Sequence, residues 1–306
     1  MGNPGFPIPQ RTRAGGPRTQ APAPGRVWEG VALPGRTLFH PVGVRRSHMD
    51  GYRGMRLNVV PTRHGPLHYL EAGSGAPLVL LHGNTYTAAT QARLAARFAD
   101  EHRVISVDLL AHGRSARPEG LFTTRYFAMQ GEALADLLGA LFDAPVPVFG
   151  MSAGGITALN AVCQRPDRVA ALILDGVFYQ VTTATVDAHH HSAASMSPAW
   201  HRYMRLQHGE DWWPRLNAGV EQAIELMAAA RTVVAPCLDA IHVPVLVFQG
   251  GRDPFVPDAQ ARVIASGIRG ARLVYEPEAG HLLAWRNPAA FRERVRRFLH
   301  DHGLAP

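Results

Sequence analysis

An apolar run at 145–149, Pro-Val-Pro-Val-Phe, leads directly into Gly150-Met151-Ser152-Ala153-Gly154 and on into Ile156-Thr157-Ala158-Leu159-Asn160-Ala161. A buried strand, a serine between glycines and an immediate helix leave few folds open. This is the form of a nucleophile elbow, G-x-S-x-G, in which a strained turn lifts a serine hydroxyl clear of a sheet. Strand and helix nearly collide at such a turn, and Gly150, Gly154 and Gly155 supply the small residues it needs. Five residues also fit a glycine-rich turn with an incidental serine, so the rest of the chain must decide.

From residue 57 onward, strand-like and helix-like segments alternate. The pattern predicts strands at 57–61, 67–71, 78–82, 104–108, 146–151, 170–175, 243–248 and 272–276, and helices at 88–100, 124–142, 153–164, 259–266 and 288–302. The inner strands are unbroken apolar runs, such as Pro77-Leu78-Val79-Leu80-Leu81. Such runs are expected when helices cover both faces of a mostly parallel sheet, here of eight strands in an α/β fold. One stretch, about 177–241, breaks the rhythm with irregular helical patterning rich in His, Met and Trp. It reads as a helical cap inserted over the carboxyl edge of the sheet. The chain carries no internal repeat, and one domain is expected over 37–306.

The net charge of +7 suggests nucleic acid until it is located. Residues 1–56 hold nine arginines against Glu29 and Asp50, and the remainder carries 22 arginines and 22 acids. The basicity therefore belongs to a Pro/Gly/Arg-rich leader, about 1–36, expected to be disordered. No basic face is expected on the fold, which argues against nucleic acid. No apolar stretch approaches the roughly 20 residues of a membrane span, and none fits a signal peptide. The two cysteines, Cys163 and Cys237, lie far apart without metal-ligand spacing, and Cys163 is expected as a small buried helix residue. Neither implies a disulfide framework, which favours a reducing, cytoplasmic location.

A serine hydroxyl is a weak nucleophile at neutral pH, so Ser152 needs a base, and the base an orienting acid. In an open α/β sheet both should follow strand ends. The run 243–248 leads into Gln249-Gly250-Gly251-Arg252-Asp253, and 272–276 leads into Pro277-Glu278-Ala279-Gly280-His281. The resulting order, Ser–Asp–His, is the one the elbow motif demands. Asp175, at the end of the strand after the elbow, competes as the acid, but the Gly-Gly-Arg-Asp context favours Asp253. Asp108 reads as a loop brace. An oxyanion hole is expected from the backbone N–H groups of Ala153 and of Asn84, in the loop after Leu80-Leu81-His82-Gly83. Losing one such donor costs about 2.7–4 kcal/mol of transition-state stabilisation.

With His82-Gly83, the stretch Asp108-Leu109-Leu110-Ala111-His112-Gly113-Arg114-Ser115, the elbow, Gly251-Arg252-Asp253 and Gly280-His281 in this order, the chain resembles the α/β-hydrolase fold family over roughly residues 57–300. The resemblance implies Ser152 as nucleophile, His281 as base and then acid, and Asp253 as orienting carboxylate, with no cofactor or metal. Ala111 departs from the family's usual glycine, in a structural loop. Relatives that open epoxides or displace halide carry Asp at the elbow, so Ser152 argues against both reactions. The expected reaction is hydrolysis of an ester or related acyl bond of a small, apolar substrate. Carbon–carbon bond hydrolysis, cofactor-free perhydrolysis and non-catalytic binding remain alternatives. Trp200, Tyr203, Trp212 and Trp213 either line an acyl pocket or pack the cap onto the sheet. His189-His190-His191 reads as a solvated or hinge segment, because adjacent helical residues cannot share one ion. The oligomeric state is left open.

Overall fold

A computed structural model describes residues 54–306; the leader at 1–36 and the residues up to 53 lie outside the described residues. Eight strands form: β1 Arg56–Val60, β2 Leu67–Ala72, β3 Ala76–Leu81, β4 His102–Val107, β5 Val146–Met151, β6 Val169–Asp175, β7 Val245–Gly250 and β8 Arg272–Glu276. All lie within two residues of the expected bounds. They make one sheet in the order β1-β2-β4-β3-β5-β6-β7-β8. β2 runs antiparallel to β1 and β4, and every other pair is parallel. The fold is thus the α/β-hydrolase fold.

Burial follows this order. β5 and β7 are buried along their whole length, whereas the edge strands β1 and β8 are largely open. Pro147 is tolerated inside β5 because the register against β6 shifts between Val146 and Pro147, and a bulge spares the missing N–H. One face of the sheet is covered by α2 (Tyr126–Leu141) and α3 (Ala153–Gln164), the other by Phe98, Phe291 and Phe298 around Phe149 and Phe248. The helix expected at 88–100 is broken. A 3₁₀ turn over Ala88–Gln91 precedes α1 (Ala92–Ala95), and Arg97, Phe98 and Glu101 then donate to the carbonyls three residues earlier. The tighter turns bring the chain round to His102 beside β3.

Three helices separate β6 from β7: α4 (Thr183–Ser195), α5 (Pro198–His208) and α6 (Trp212–Ala229). Local chemistry sets their starts. Thr182 and Thr185 form a capping box, and Ser197 caps α5 ahead of Pro198. α6 buries Trp213, Leu216, Val220, Ala223, Ile224 and Met227, a stripe at helical spacing. The elements that follow are α7 (Asp258–Gly267), the short α8 (Leu283–Arg286) and α9 (Pro288–Asp301). No helix among the described residues is long and apolar enough to cross a membrane.

The cysteines correct the sequence expectation. Cys163, at the end of α3 and half-buried, is disulfide-bonded to Cys237, with Cα atoms 5.8 Å apart. Their separation of 74 residues hid the contact, because the intervening chain is β6 and the whole cap. Beside the bridge, Asn160 Nδ2 donates to the Val234 carbonyl at 2.6 Å. The returning end of the cap is thus stapled to the helix that follows the elbow. With the cysteines paired, the ground for expecting a reducing compartment is gone.

Buried histidines hold the other side of the cap. His208, the last residue of α5, donates from Nε2 to the Thr85 carbonyl at 2.8 Å and accepts the Gly113 N–H on Nδ1 at 3.0 Å. His112 donates to the Leu110 carbonyl at 2.9 Å and accepts the Thr85 N–H at 3.3 Å. His82 donates to the Gly83 carbonyl at 2.8 Å and accepts the Leu109 N–H at 3.1 Å. A carbonyl can only accept and an amide only donate, so these partners fix one neutral tautomer for each ring. Burial is the main reason that protonation is disfavoured, with the pKa near 3 for His82, near 4 for His208 and well below the ordinary value for His112.

Two predictions follow from these ties. The 74-residue separation makes the disulfide worth about 2–4 kcal/mol against unfolding, so reductant or a Cys163→Ser/Cys237→Ser variant should lower the denaturant midpoint. An unchanged midpoint would refute the pairing. Stability should also fall with acid. Burial lowers the pKa of six described histidines (His68, His82, His102, His112, His189 and His208) and raises that of Asp108 and Asp175 to about 6. Below pH 6.5 the unfolded chain takes up protons that the folded histidines refuse, while the two acids oppose this in part. Unfolding free energy should therefore drop from pH 6.5 to 4.5. Denaturant titrations at pH 7, 6 and 5 that show no decline would overturn this balance.

Candidate active site

β5 ends at Met151, and Ser152 takes φ 49° and ψ −119°, a conformation costing about 1–3 kcal/mol for a non-glycine residue. The surroundings hold it there. Its N–H donates to the Asp175 carbonyl at 2.8 Å, and its own carbonyl accepts Gly155 N–H and Ile156 N–H at 2.9 and 3.1 Å as α3 begins. A Cβ on Gly150 would come within 2.5 Å of the Gly154 backbone, and one on Gly154 within 2.5 Å of the Leu81 carbonyl. Only glycine fits at either position. Ser152 is partly exposed, and its Oγ makes no hydrogen bond with the described residues.

Asp253 and His281 meet. His281 Nδ1–H donates to Asp253 Oδ2 at 2.7 Å, while Oδ1 accepts Phe255 N–H and Val256 N–H at 2.8 and 3.0 Å. The carboxylate is fully buried, and the imidazole is 16% exposed. This pairing leaves Nε2 as the nitrogen able to accept a proton. The ring lies over Gly176, whose Cβ, if present, would be 2.7 Å from His281 Cε1. Gly176 follows Asp175, which carries the carbonyl bonded to Ser152, so His281 stands beside the elbow. In a ligand-free site the nucleophile–base contact is commonly loose and tightens with substrate.

The competing carboxylate has other partners. Asp175 accepts Leu283 N–H at 3.0 Å and Ala284 N–H at 2.9 Å, capping α8 just past His281. Burial raises its pKa to about 6, against the pull of these two bonds. Asp108 likewise accepts Ala88 N–H and Arg114 N–H, at 2.7 and 3.2 Å, and braces two loops.

On the far side of the elbow lies the loop after β3. A Cβ on Gly83 would sit 3.4 Å from Ser152 Cβ. The Asn84 and Ala153 N–H groups have no hydrogen-bond partner among the described residues. The peptide carrying Asn84 N–H has its carbonyl, on Gly83, held by His82. Tyr126 donates from its hydroxyl to Asn84 Oδ1 at 3.2 Å. Two free amide donors thus flank the strained serine, the arrangement that can hold an anionic oxygen.

The four cap aromatics divide. Trp213 is buried, donates to His201 at 3.0 Å and stacks on His208; Trp212 donates to the Ala111 carbonyl at 2.7 Å and lies under Arg117. Both pack the cap down. Trp200 and Tyr203 are half-buried neighbours, and Trp200 meets Tyr86 edge-on at 5.6 Å, above Gly83. Two further residues border the site, and one of them corrects an expectation: the histidine run expected to be a solvated or hinge segment lies inside α4, with His189 half-buried. Phe255 packs against His281 at 4.9 Å, and His189 against Phe255 at 5.8 Å. Burial, then the nearby His281, lowers the His189 pKa to about 4. Phe255, which the sequence analysis left out, could have been noticed two residues past Asp253; His208 gives no local signal. His190 instead pairs with Glu225 at 2.9 Å. Among the described residues, no group of three or more His, Cys, Asp or Glu side chains could hold a metal ion.

Comparisons with known proteins agree with this architecture. The alpha/beta hydrolase family matches residues 78–294. A pimeloyl-[acyl-carrier protein] methyl ester esterase of Neisseria meningitidis is 29% identical over 221 residues, covering 64% of this chain and 82% of that protein. Esterase Rv0045c of Mycobacterium tuberculosis is 26% identical over 291 residues, covering 83% and 93%. The crystal structure of a serine hydrolase involved in carbazole degradation superposes with a TM-score of 0.68 at 25% identity, covering 80% of this chain and 99% of that one. An eight-stranded sheet with this strand order and a match across most of the chain have one meaning: the protein belongs to the alpha/beta hydrolase family and is a hydrolase.

Proposed function

We propose that the protein is a serine esterase in which Ser152 attacks the carbonyl of a small, apolar ester. The observation that carries this reading is the Asp253–His281 hydrogen bond beside a strained serine flanked by two free N–H groups. In the first step His281 Nε2 takes the Ser152 proton as Oγ bonds to the carbonyl carbon. The resulting oxyanion lies toward the Asn84 and Ala153 N–H groups. His281 passes the proton to the leaving alcohol, and an acyl-enzyme remains. Water, deprotonated by the same nitrogen, then releases the acid and restores Ser152. Asp253 stays ionised, fixes the tautomer and stabilises the imidazolium. The esterase relatives support the ester bond as target. Tyr86, Trp200, Tyr203 and Phe255 support an apolar substrate.

Labelling with a fluorophosphonate probe tests the nucleophile. Wild type should label, Ser152→Ala should not, and ester hydrolysis should fall at least about 10³-fold. Equal labelling of the two would sink the mechanism. The two carboxylates should also separate. Asp253→Asn should lower kcat about 10²- to 10⁴-fold through the wrong tautomer, with little loss of stability. Asp175→Asn should mainly lower the denaturant midpoint, because an amide oxygen cannot cap both Leu283 and Ala284 as the carboxylate does. Equal kcat losses in the two variants would refute this assignment.

A further inference from the structure

Thr85 follows Asn84 and has φ 69°, a left-handed conformation that a β-branched residue rarely adopts. Both of its backbone polar groups are held by imidazoles. The N–H goes to His112 Nε2 at 3.3 Å, and the carbonyl accepts from His208 Nε2 at 2.8 Å. His112 belongs to the loop after β4, but His208 belongs to the cap. Its other nitrogen takes the Gly113 N–H, so one ring bridges the cap, the loop after β3 and the loop after β4.

The ring has one seat. It stacks on Trp213 with 5.5 Å between centroids and 16° between planes, and Arg117 donates to the His208 carbonyl at 2.7 Å. Only the neutral tautomer with its proton on Nε2 can serve both partners. A left-handed threonine relaxes when the groups holding it are lost, and the peptides on either side turn with it. The peptide that carries the Thr85 carbonyl also carries the Tyr86 N–H, which donates to the Gly83 carbonyl at 3.2 Å, and that carbonyl shares its peptide with the Asn84 N–H, free beside Ser152.

We propose that His208 is a positioning residue: through Thr85 it aims the Asn84 N–H at the oxyanion, so that a seated cap completes the oxyanion hole and a displaced cap opens it. The proposal rests on Asn84 serving as an oxyanion donor, as above. It makes the cap a device that couples substrate engagement to transition-state stabilisation. Binding energy gained against the cap is then expressed in kcat and not in KM alone. Losing a donor outright costs about 10²- to 10³-fold in kcat, and a misaimed donor should cost part of that.

The test compares His208→Phe, which keeps the stack but loses both hydrogen bonds, with His208→Gln, whose amide can donate to Thr85 and accept from Gly113. Rates of p-nitrophenyl ester hydrolysis are normalised to sites titrated by fluorophosphonate, so unfolded protein does not count. A trifluoromethyl ketone, which forms a hemiketal oxyanion on the serine, reports on the hole itself. The expected result for His208→Phe is kcat about 10- to 100-fold lower, KM within about twofold, and ketone affinity weakened in step with kcat/KM. His208→Gln should recover most of both. His201→Leu, which removes the Trp213 partner and loosens the cap without touching Thr85, should leave kcat per site unchanged. If His208→Phe does not fold, His208→Asn, too short to span both partners, carries the test by the same criteria. The proposal is overturned if kcat per titrated site is unchanged, if only KM rises, or if ketone affinity does not move. Retained activity in Ser152→Ala would instead refute the underlying mechanism, so the two failures are distinguishable.

Discussion

The parallel register of β3, β5, β6, β7 and β8 decides what can meet at the carboxyl edge of this sheet. Leu81 pairs with Gly150, Met151 with Asp175, Asp175 with Phe248, and Gly250 with Glu276. Each strand therefore stops within two residues of its neighbour, and the loops that follow leave from one edge. The chain winds outward both ways, from β3 to β4 and from β5 to β8, so the loops after β3 and β5 diverge. A crevice at such a reversal is where open α/β sheets place ligands. Ser152 occupies it because the backbone has nowhere else to go: the Asp175 carbonyl holds its N–H, and the Gly150–Gly154 approach forces the turn.

Around this crevice, charge and neutrality are kept apart by hydrogen bonding. The Asp253 carboxylate is fully buried, with two backbone N–H groups on one oxygen and His281 on the other. Asp175 is also fully buried, and its two N–H groups come from the helix that follows His281. One carboxylate touches the imidazole, and the other fixes the segment bearing it. The three histidines on the opposite side, His82, His112 and His208, have every ring nitrogen paired with backbone. A neutral ring with one donor and one acceptor can join a carbonyl to an amide across two loops, which neither an ionised acid nor a lysine can do.

The cap is consequently attached at two ends by different means. Its returning segment is tied by Cys163–Cys237 and by Asn160 to the helix behind the elbow. Its middle is tied by His208 to the loop in front of the elbow. The first attachment is covalent and indifferent to acid. The second depends on a histidine that burial keeps neutral, with a pKa near 4.

Much of this was legible in the chain itself. Unbroken apolar runs located the strands, because a strand covered on both faces has no polar face to show. The glycines around Ser152 marked the turn, because steric exclusion at a close backbone approach is a local property. The order Ser152, Asp253, His281 followed from loops that trail strand ends. Tertiary structure alone decided the rest. The pairing of Cys163 with Cys237, the tie from His208 to Thr85 and the approach of His189 to Phe255 join segments far apart in sequence. No periodicity records such contacts, since they depend on how the cap folds back over the sheet. The division of Trp200 and Tyr203 from Trp212 and Trp213 is of the same kind. All four are aromatic residues on helices, and only packing shows that Trp200 meets Tyr86 whereas Trp212 and Trp213 hold the cap down.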